Sequence, residues 1–534
     1  MTIPASPADP VLLPTMARFG PDEPVLIEVR GVRVDAELVT HALGETVGRQ
    51  PVQPLTDIGV LPVGGYGIEL VDASGVVLAR TAVEVAPAGA PVQRYGFVAS
   101  FPPGRRWDPV IDNVRRLHLT DIQCYDWAFR HADLVGGGEV YDDPLGQPIS
   151  LDAVRDLIGR LAAAGSRAIG YAAVYAVGNQ EWDDWRHAAL LAADGNPYGL
   201  GDFLRIVDPA HEQWLAHLRA DLSVAAELGF HGFHLDQYGY PKHAVRADGI
   251  AVDVAESFST MIAVVRAELP DHRLIFNQVN DFPTWRTGAV EQDIVYVEPW
   301  APSTTLQHLA DIATSAAATA PGKPVVLAAY QHLYDDVDAR IGDIATALTM
   351  ATLGAHGATQ LLAGEADRVL VDPYYVRNHI AEPSTTDLLA RWYDFLVEHG
   401  ELLFPAGPDV TRSMAGRYND DLDVEYHDTP VSEHAAAGGV WRIIRRVGHR
   451  YVVHLINLTG QPDTDWDAAR ATPSDPGPGT LRVRRFGPGP LRVRAADPDR
   501  APRLVDVAVT DDGGWSCAEL PAPRIWQLVV VEPA

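Results

Sequence analysis

Two carboxylates, Asp236 and Glu298, close the apolar runs Gly232-Phe233-His234-Leu235 and Ile294-Val295-Tyr296-Val297, and polar, glycine or aromatic residues follow each of them. A buried strand that ends in an acid delivers that acid to the rim of a sheet or barrel. A pair of acids so placed suits cleavage of a glycosidic bond, which needs one ionised carboxylate and one kept protonated near neutral pH. Asp236 is read as the nucleophile and Glu298 as the general acid/base. The alternative for each is structural: a turn or helix cap, or a buried hydrogen-bonding group.

Other strand ends are rich in aromatic and polar residues. Tyr125, Asp126 and Trp127 follow a second strand, Tyr175 a third, Tyr238 the strand of Asp236, Asn277 and Asn280 a fifth, Trp300 the strand of Glu298, Tyr330 and Gln331 a seventh, and Glu365 an eighth. Indole and phenol faces pack on the apolar faces of sugar rings, and charged or amide acceptors bind their hydroxyls. The expected substrate-binding set is Tyr125, Asp126, Trp127, His131, Tyr175, His234, Tyr238, Asn277, Trp300 and Tyr330, although any one of these aromatics taken alone also fits core packing. His234 lies two residues before Asp236 on one strand, so both point inward. His243 falls well past the strand end. The histidines lack the clustering of a metal barrel, so no metal or other cofactor is expected, and His131 and His234 are read as hydrogen-bonding residues.

The elements that must position these groups alternate between strand and helix. Strands are expected at Tyr95–Ser100, Asp121–Tyr125, Arg167–Tyr175, Phe230–Asp236, Arg273–Asn277, Ile294–Glu298, Val325–Tyr330 and Ala358–Leu362, with amphipathic helices between them and a last helix over Thr386–Glu398. About eight such units predict an α/β fold of the (β/α)8 TIM-barrel type. A doubly wound open sheet fits less well, because no glycine-rich dinucleotide fingerprint follows any strand. Ahead of the barrel, short strand-like runs at Val25–Val29, Val32–Val34, Ile68–Val71, Val76–Ala79 and Thr81–Val85, with turn signals at Pro62–Gly67 and Asp72–Gly75, predict an immunoglobulin-like β-sandwich. Ala86–Pro91 reads as a linker. After the barrel, runs such as Val440–Arg445, Tyr451–Asn457, Leu481–Arg484 and Ile525–Val531 predict a C-terminal antiparallel sandwich. The expected division is residues 1–92, 93–400 and 401–534.

Composition narrows the partners. Seventy-one Asp and Glu against 42 Lys and Arg give a net charge of −29, with Lys242 and Lys323 the only lysines. Such a field repels nucleic acid and anionic membranes, so neither is an expected partner. Two distant cysteines, Cys124 and Cys517, exclude a disulfide scaffold. The first twenty residues show neither a basic region nor a continuous apolar stretch, and no run approaches the roughly 20 apolar residues of a membrane span. A cytoplasmic location is expected, or secretion if an export signal has been removed.

In sequence order, YGF at Tyr95, IQCYDWAFRH at Ile122–His131, GFHGFHLDQYG at Gly229–Gly239, FNQVN at Phe276–Asn280 and YVEPW at Tyr296–Trp300 together resemble glycoside hydrolase family 66, the dextranases and cycloisomaltooligosaccharide glucanotransferases. The resemblance implies a retaining, endo-acting mechanism on α-1,6-glucan, either dextran or isomalto-oligosaccharides, with Asp236 as nucleophile and Glu298 as acid/base. It also implies that Asp126 and Trp127 hold the sugar at the cleavage point. Cyclising members of that family carry a carbohydrate-binding insertion near the seventh strand, whereas the stretch between Tyr330 and Ala358 has room for about one helix. Hydrolysis is therefore expected over cyclisation. The alternatives are a related glycosidase or transglycosylase on another α-glycan and a non-catalytic carbohydrate-binding protein.

Overall fold

The structure is a computed structural model; it describes residues 10–534 apart from 32–34, 88, 91–93, 417–418 and 485–488. At its centre eight parallel strands run in sequential order: β1 Tyr95–Val98, β2 Asp121–Cys124, β3 Arg167–Ala173, β4 Gly232–Asp236, β5 Arg273–Val279, β6 Ile294–Glu298, β7 Val325–Leu327 and β8 Ala358–Gln360. Most of their residues are buried, as expected when a parallel sheet is covered on both faces. The ring closes where the Phe97 N–H donates to the Ala363 carbonyl at 3.3 Å. Gly364 makes this approach possible: its φ is +156°, and a Cβ there would lie 2.3 Å from the Phe97 carbonyl oxygen. The barrel is the TIM fold read from the alternation.

The main helices are α1 Asp108–Arg116, α2 Leu151–Ala163, α3 Glu212–Ala226, α4 Val254–Glu268, α5 Leu306–Thr319, α6 Ala339–Ala355 and α7 Pro383–Glu398. α2 starts at Ser150, whose side chain accepts from the Ala153 N–H, and α4 starts at Asp253, which accepts from Ala255. Unlike its amphipathic neighbours, α6 is buried on nearly every side, because it is packed against the barrel, α7 and the strand Arg450–Asn457.

The N-terminal region is an antiparallel two-sheet sandwich. Val11–Pro14, Pro24–Arg30 and Leu55–Val60 form one sheet, and Glu45–Pro51, Ala36–Ala42, Gly64–Asp72 and Val77–Val85 form the other. Val25, Ile27 and Ile58 meet Leu38, Ile68 and Val83 in the core between them. Two details differ from the sequence reading. The runs at Val76–Ala79 and Thr81–Val85 form one continuous strand. Glycines expected to turn the chain at Gly64–Gly67 instead open a long strand, because α7 and its C-terminus pass close by. A Cβ on Gly65 would sit 2.2 Å from the Val397 carbonyl oxygen, and one on Gly67 2.7 Å from the Glu398 carboxylate. The strand expected at Val32–Val34 lies outside the described residues, as does part of the linker reading.

At the C-terminal end a four-stranded and a six-stranded sheet stack, with Leu422, Leu481 and Leu520 against Ile444, Leu455 and Val529. No helix among the described residues is long and apolar enough to cross a membrane.

Candidate active site

Strand order brings the two acids together. β5 lies between β4 and β6, so an inward side chain near its end faces both Asp236 and Glu298. That side chain is Asn277. Its Nδ2 donates to Asp236 Oδ1 at 2.7 Å and to Glu298 Oε2 at 3.1 Å. Those two oxygens are therefore no farther apart than the two bonds laid end to end. On the other flank, Tyr171 of β3 donates its hydroxyl to Asp236 Oδ2 at 2.7 Å. Both carboxylate oxygens of Asp236 are thus oriented, each by a neutral donor.

Burial is the largest influence on the electrostatics. Desolvation lifts Asp236 to about 6, against the pull of its hydrogen bonds from Asn277 and Tyr171. Desolvation together with the negative charge of Asp236 lifts Glu298 to about 7, opposed by the hydrogen bond from Asn277 and by the nearby Tyr330 and Trp300 side chains. Asp126 is pushed well above the usual carboxylate range by burial and by the nearby charges of Asp143 and Asp236. Between about pH 6 and 7 the pair has Asp236 biased toward the ionised form and Glu298 toward the protonated form.

The acids open into a cavity of about 230 Å³. Tyr125, Asp126, His131, His234, Tyr238, Asn277, Trp300 and Tyr330 line it. His234 is stacked at 6.0 Å on Tyr95, and its Nδ1 is 3.3 Å from the Tyr95 hydroxyl. Burial depresses it to about 3, so it is neutral at physiological pH. His131 is likewise pushed down to about 4 by burial and by Arg130.

Two expected sugar contacts sit elsewhere. Trp127 is fully buried, its indole N–H donating to the Tyr171 carbonyl at 3.1 Å and its ring packed on Phe230. Tyr175 is also fully buried. Its hydroxyl donates to the Tyr240 carbonyl and accepts from the Tyr238 N–H, which ties the β3 and β4 loops together. Both rings support the wall from behind. The other strand-end candidates are structural as well. Asn280 bridges to Ala301 and Trp300, Gln331 is buried beside Thr346 and Thr349, and Glu365 holds the Ala99 N–H and Arg105. His243 is exposed on the short strand His243–Arg246.

Several lining residues were not singled out from the sequence. Tyr171 carried a signal, since it lies two residues before Ala173, the register partner of Asp236, and alternation turns it inward. Tyr296 faces inward on β6, and its hydroxyl is 3.1 Å from that of Tyr375. Tyr375 stacks on Tyr125 at 4.3 Å but comes from a turn well beyond β8, where no strand-end signal points to it. Phe203, Leu200 and Leu204 reach the opening from the insertion after β3. Among the described residues no three His, Cys, Asp or Glu side chains are placed to share a metal ion.

Comparisons with known proteins agree with this architecture. A cycloisomaltooligosaccharide glucanotransferase of Niallia circulans is 24% identical over 336 residues, covering 57% of this chain and 34% of the relative. A second such enzyme from the same organism is 25% identical over 312 residues, covering 52% and 32%. The chain thus spans about a third of the length of these curated relatives. Among solved structures, a Paenibacillus sp. cycloisomaltooligosaccharide glucanotransferase complexed with cycloisomaltoheptaose superposes with a TM-score of 0.85 at 18% identity, covering 97% of this chain and 99% of that one. The sequence profile of glycosyl hydrolase family 66 matches residues 32–530, nearly the whole chain, which therefore belongs to that family of glycoside hydrolase-type enzymes.

Proposed function

We propose that this chain is a retaining, endo-acting glycoside hydrolase that cleaves α-1,6-glucan, dextran or isomalto-oligosaccharides, by double displacement. The observation that carries the reading is the single amide of Asn277 holding Asp236 and Glu298 together. It keeps the facing oxygens below the roughly 6.5 Å at which inverting pairs begin, and so leaves little room for a water between acid and sugar. Asp236 attacks the anomeric carbon and forms a glycosyl ester, while the departing glycosidic oxygen takes the proton of Glu298. Glu298, now ionised, takes a proton from water. The resulting hydroxide adds to the anomeric carbon and frees Asp236, so the starting anomer is regenerated.

The choice of substrate draws on the relatives, whose names specify isomalto-oligosaccharide chemistry. Aromatic faces at Phe203, Trp300 and Tyr374, contributed by three different loops, offer stacking surfaces for more than one sugar unit, in keeping with attack inside a chain. Transfer to a sugar acceptor is the second reading, favoured by those same names. Hydrolysis is preferred because the connection from Leu327 to Ala358 holds only the short turn His332–Asp335 and α6.

The test is a screen of the protein against dextran, isomalto-oligosaccharides and other glycans, with Asp236→Ala and Glu298→Gln as controls. Both variants should lose on the order of 10³–10⁵-fold in kcat. NMR of early dextran products should show the α-anomer, and chromatography should show linear sugars rather than rings. Undiminished activity in both variants, or a β-anomer appearing before mutarotation, would overturn the assignment.

A further inference from the structure

We propose that the segment Asp463–Asp467 of the C-terminal sandwich is a positioning arm of the catalytic site, fixing the loops that hold Glu298. The proposal rests on the reading of Glu298 as acid/base.

The arm reaches the barrel at two places. Trp466 donates its indole N–H to the Ser303 carbonyl at 2.9 Å and its backbone N–H to the Thr304 carbonyl at 3.0 Å. Thr305 pairs with Asp465 as an isolated antiparallel bridge, and the Leu306 N–H donates to the Thr464 carbonyl at 2.8 Å. Leu306 opens α5, so the arm satisfies one of the N–H groups that a helix start leaves without a partner, and it pins the loop running back to Trp300. The second place is the turn after β7. Asp467 Oδ2 lies 2.8 Å from His332 Nδ1, and its Oδ1 accepts from the Leu333 N–H at 3.2 Å.

His332 links this anchor to the chemistry. Its ring lies 6.1 Å from that of Trp300 and 6.2 Å from that of Tyr330, and those two rings are 5.9 Å apart. Trp300 and Tyr330 line the cavity beside Glu298 and, with Asn277, favour its ionised form. The arm itself is rigid: the buried guanidinium of Arg470 donates to the Asp465 carbonyl at 3.1 Å and to the Asp463 carbonyl at 3.3 Å, and it pairs with the Asp463 carboxylate. The two barrel loops that flank the acid/base therefore take their positions from one stretch of the C-terminal sandwich. The side-chain donors to Asp236, Tyr171 and Asn277, sit on β3 and β5, so the arm acts on one of the two carboxylates.

That asymmetry supplies the test. An acid/base out of place slows departure of a sugar alcohol, which needs a proton, far more than departure of fluoride, which needs none. Asp467→Asn and Trp466→Phe should lower kcat on dextran about 10–50-fold with KM within about twofold. The burst of fluoride from an isomaltotriosyl α-fluoride should change less than about threefold. His332→Gln combined with Asp467→Asn should cost little more than either alone, because the pair acts as a unit. A thermal midpoint within a few degrees of wild type confirms that each variant is folded. Equal losses on both substrates, or no loss on either, would overturn the proposal. Glu298→Gln serves as the reference: if it shows no preference for the fluoride, the acid/base reading itself fails.

Discussion

Buried carboxylates occur in two very different settings in this protein. Where the N-terminal sandwich meets the barrel, Glu84 accepts from Arg94 at 2.6 Å and from Arg18 at 2.8 Å. Burial raises the pKa of Glu84, but the two guanidiniums outweigh that and hold it at about 2. Arg94 also donates to the His118 carbonyl, so the charges form part of the junction between layers. At the opposite setting, Asp236 and Glu298 are comparably removed from water but are partnered by the amide of Asn277 and the phenol of Tyr171, and they rise to about 6 and 7. The same chemical group is inert in one place and poised in the other. What separates them is the pair of guanidiniums beside Glu84, since desolvation works in the same direction on both.

Breaking the first setting should give the largest effect of that contrast. Arg94→Met leaves Glu84 buried with half its compensation gone, and unfolding by urea should show a loss of about 3–5 kcal/mol. Activity per folded molecule should stay within about twofold of wild type. Full wild-type stability would mean that Arg18 alone balances the charge and that the contrast is weaker than drawn.

The reverse change belongs to the second setting. The pKa of Asp236 is raised in the folded state, so the folded protein binds that proton more tightly than the unfolded chain does. The ionised form is penalised: the penalty is absent below the ordinary 3.8 and complete once the pH has passed about 6. Asp236→Asn should therefore stabilise the protein by about 1–3 kcal/mol at pH 8 while abolishing activity. The gain should shrink steadily as the pH falls toward 4. A variant no more stable than wild type at pH 8 would show that Tyr171 and Asn277 already compensate the charge.

The smallest effect sharpens the comparison inside the site. The proposed mechanism calls for ionised Asp236 and protonated Glu298, so kcat/KM should rise through an acid limb near 6 and fall through an alkaline limb near 7, values that belong to the coupled pair. Tyr171→Phe removes a donor to the ionised form of Asp236. The acid limb should move up by about one pH unit, narrowing the bell, with kcat at the optimum down about 10-fold. An acid limb that stays in place would mean that the phenol only orients the carboxylate.

Much of this was legible from the chain alone. Alternating apolar runs and amphipathic stretches predicted the barrel because a parallel strand covered on both faces must be apolar almost throughout. Asp236 and Glu298 stood out because a charge ending such a run has little reason to be there except exposure at the working rim. Trp127 and Tyr175 misled for a related reason. A strand-end aromatic pointing into the cavity and one packed behind the wall have the same sequence signature, and only the direction of the side chain separates them.

The sequence by itself determined the order of the strands and the chemical types at their ends, since periodicity and burial are local properties. Tertiary structure decided three things that no spacing encodes. It brought the one amide of Asn277 within hydrogen-bond reach of both acids at once. It returned Tyr375 across the barrel mouth to stack on Tyr125. It also set Asp467 against His332, 135 residues away in sequence. Each of these depends on where the closed barrel brings distant segments together. The carboxylates were written into the strands, while the neutral surroundings that leave them near 6 and 7 arose only when the chain closed around them.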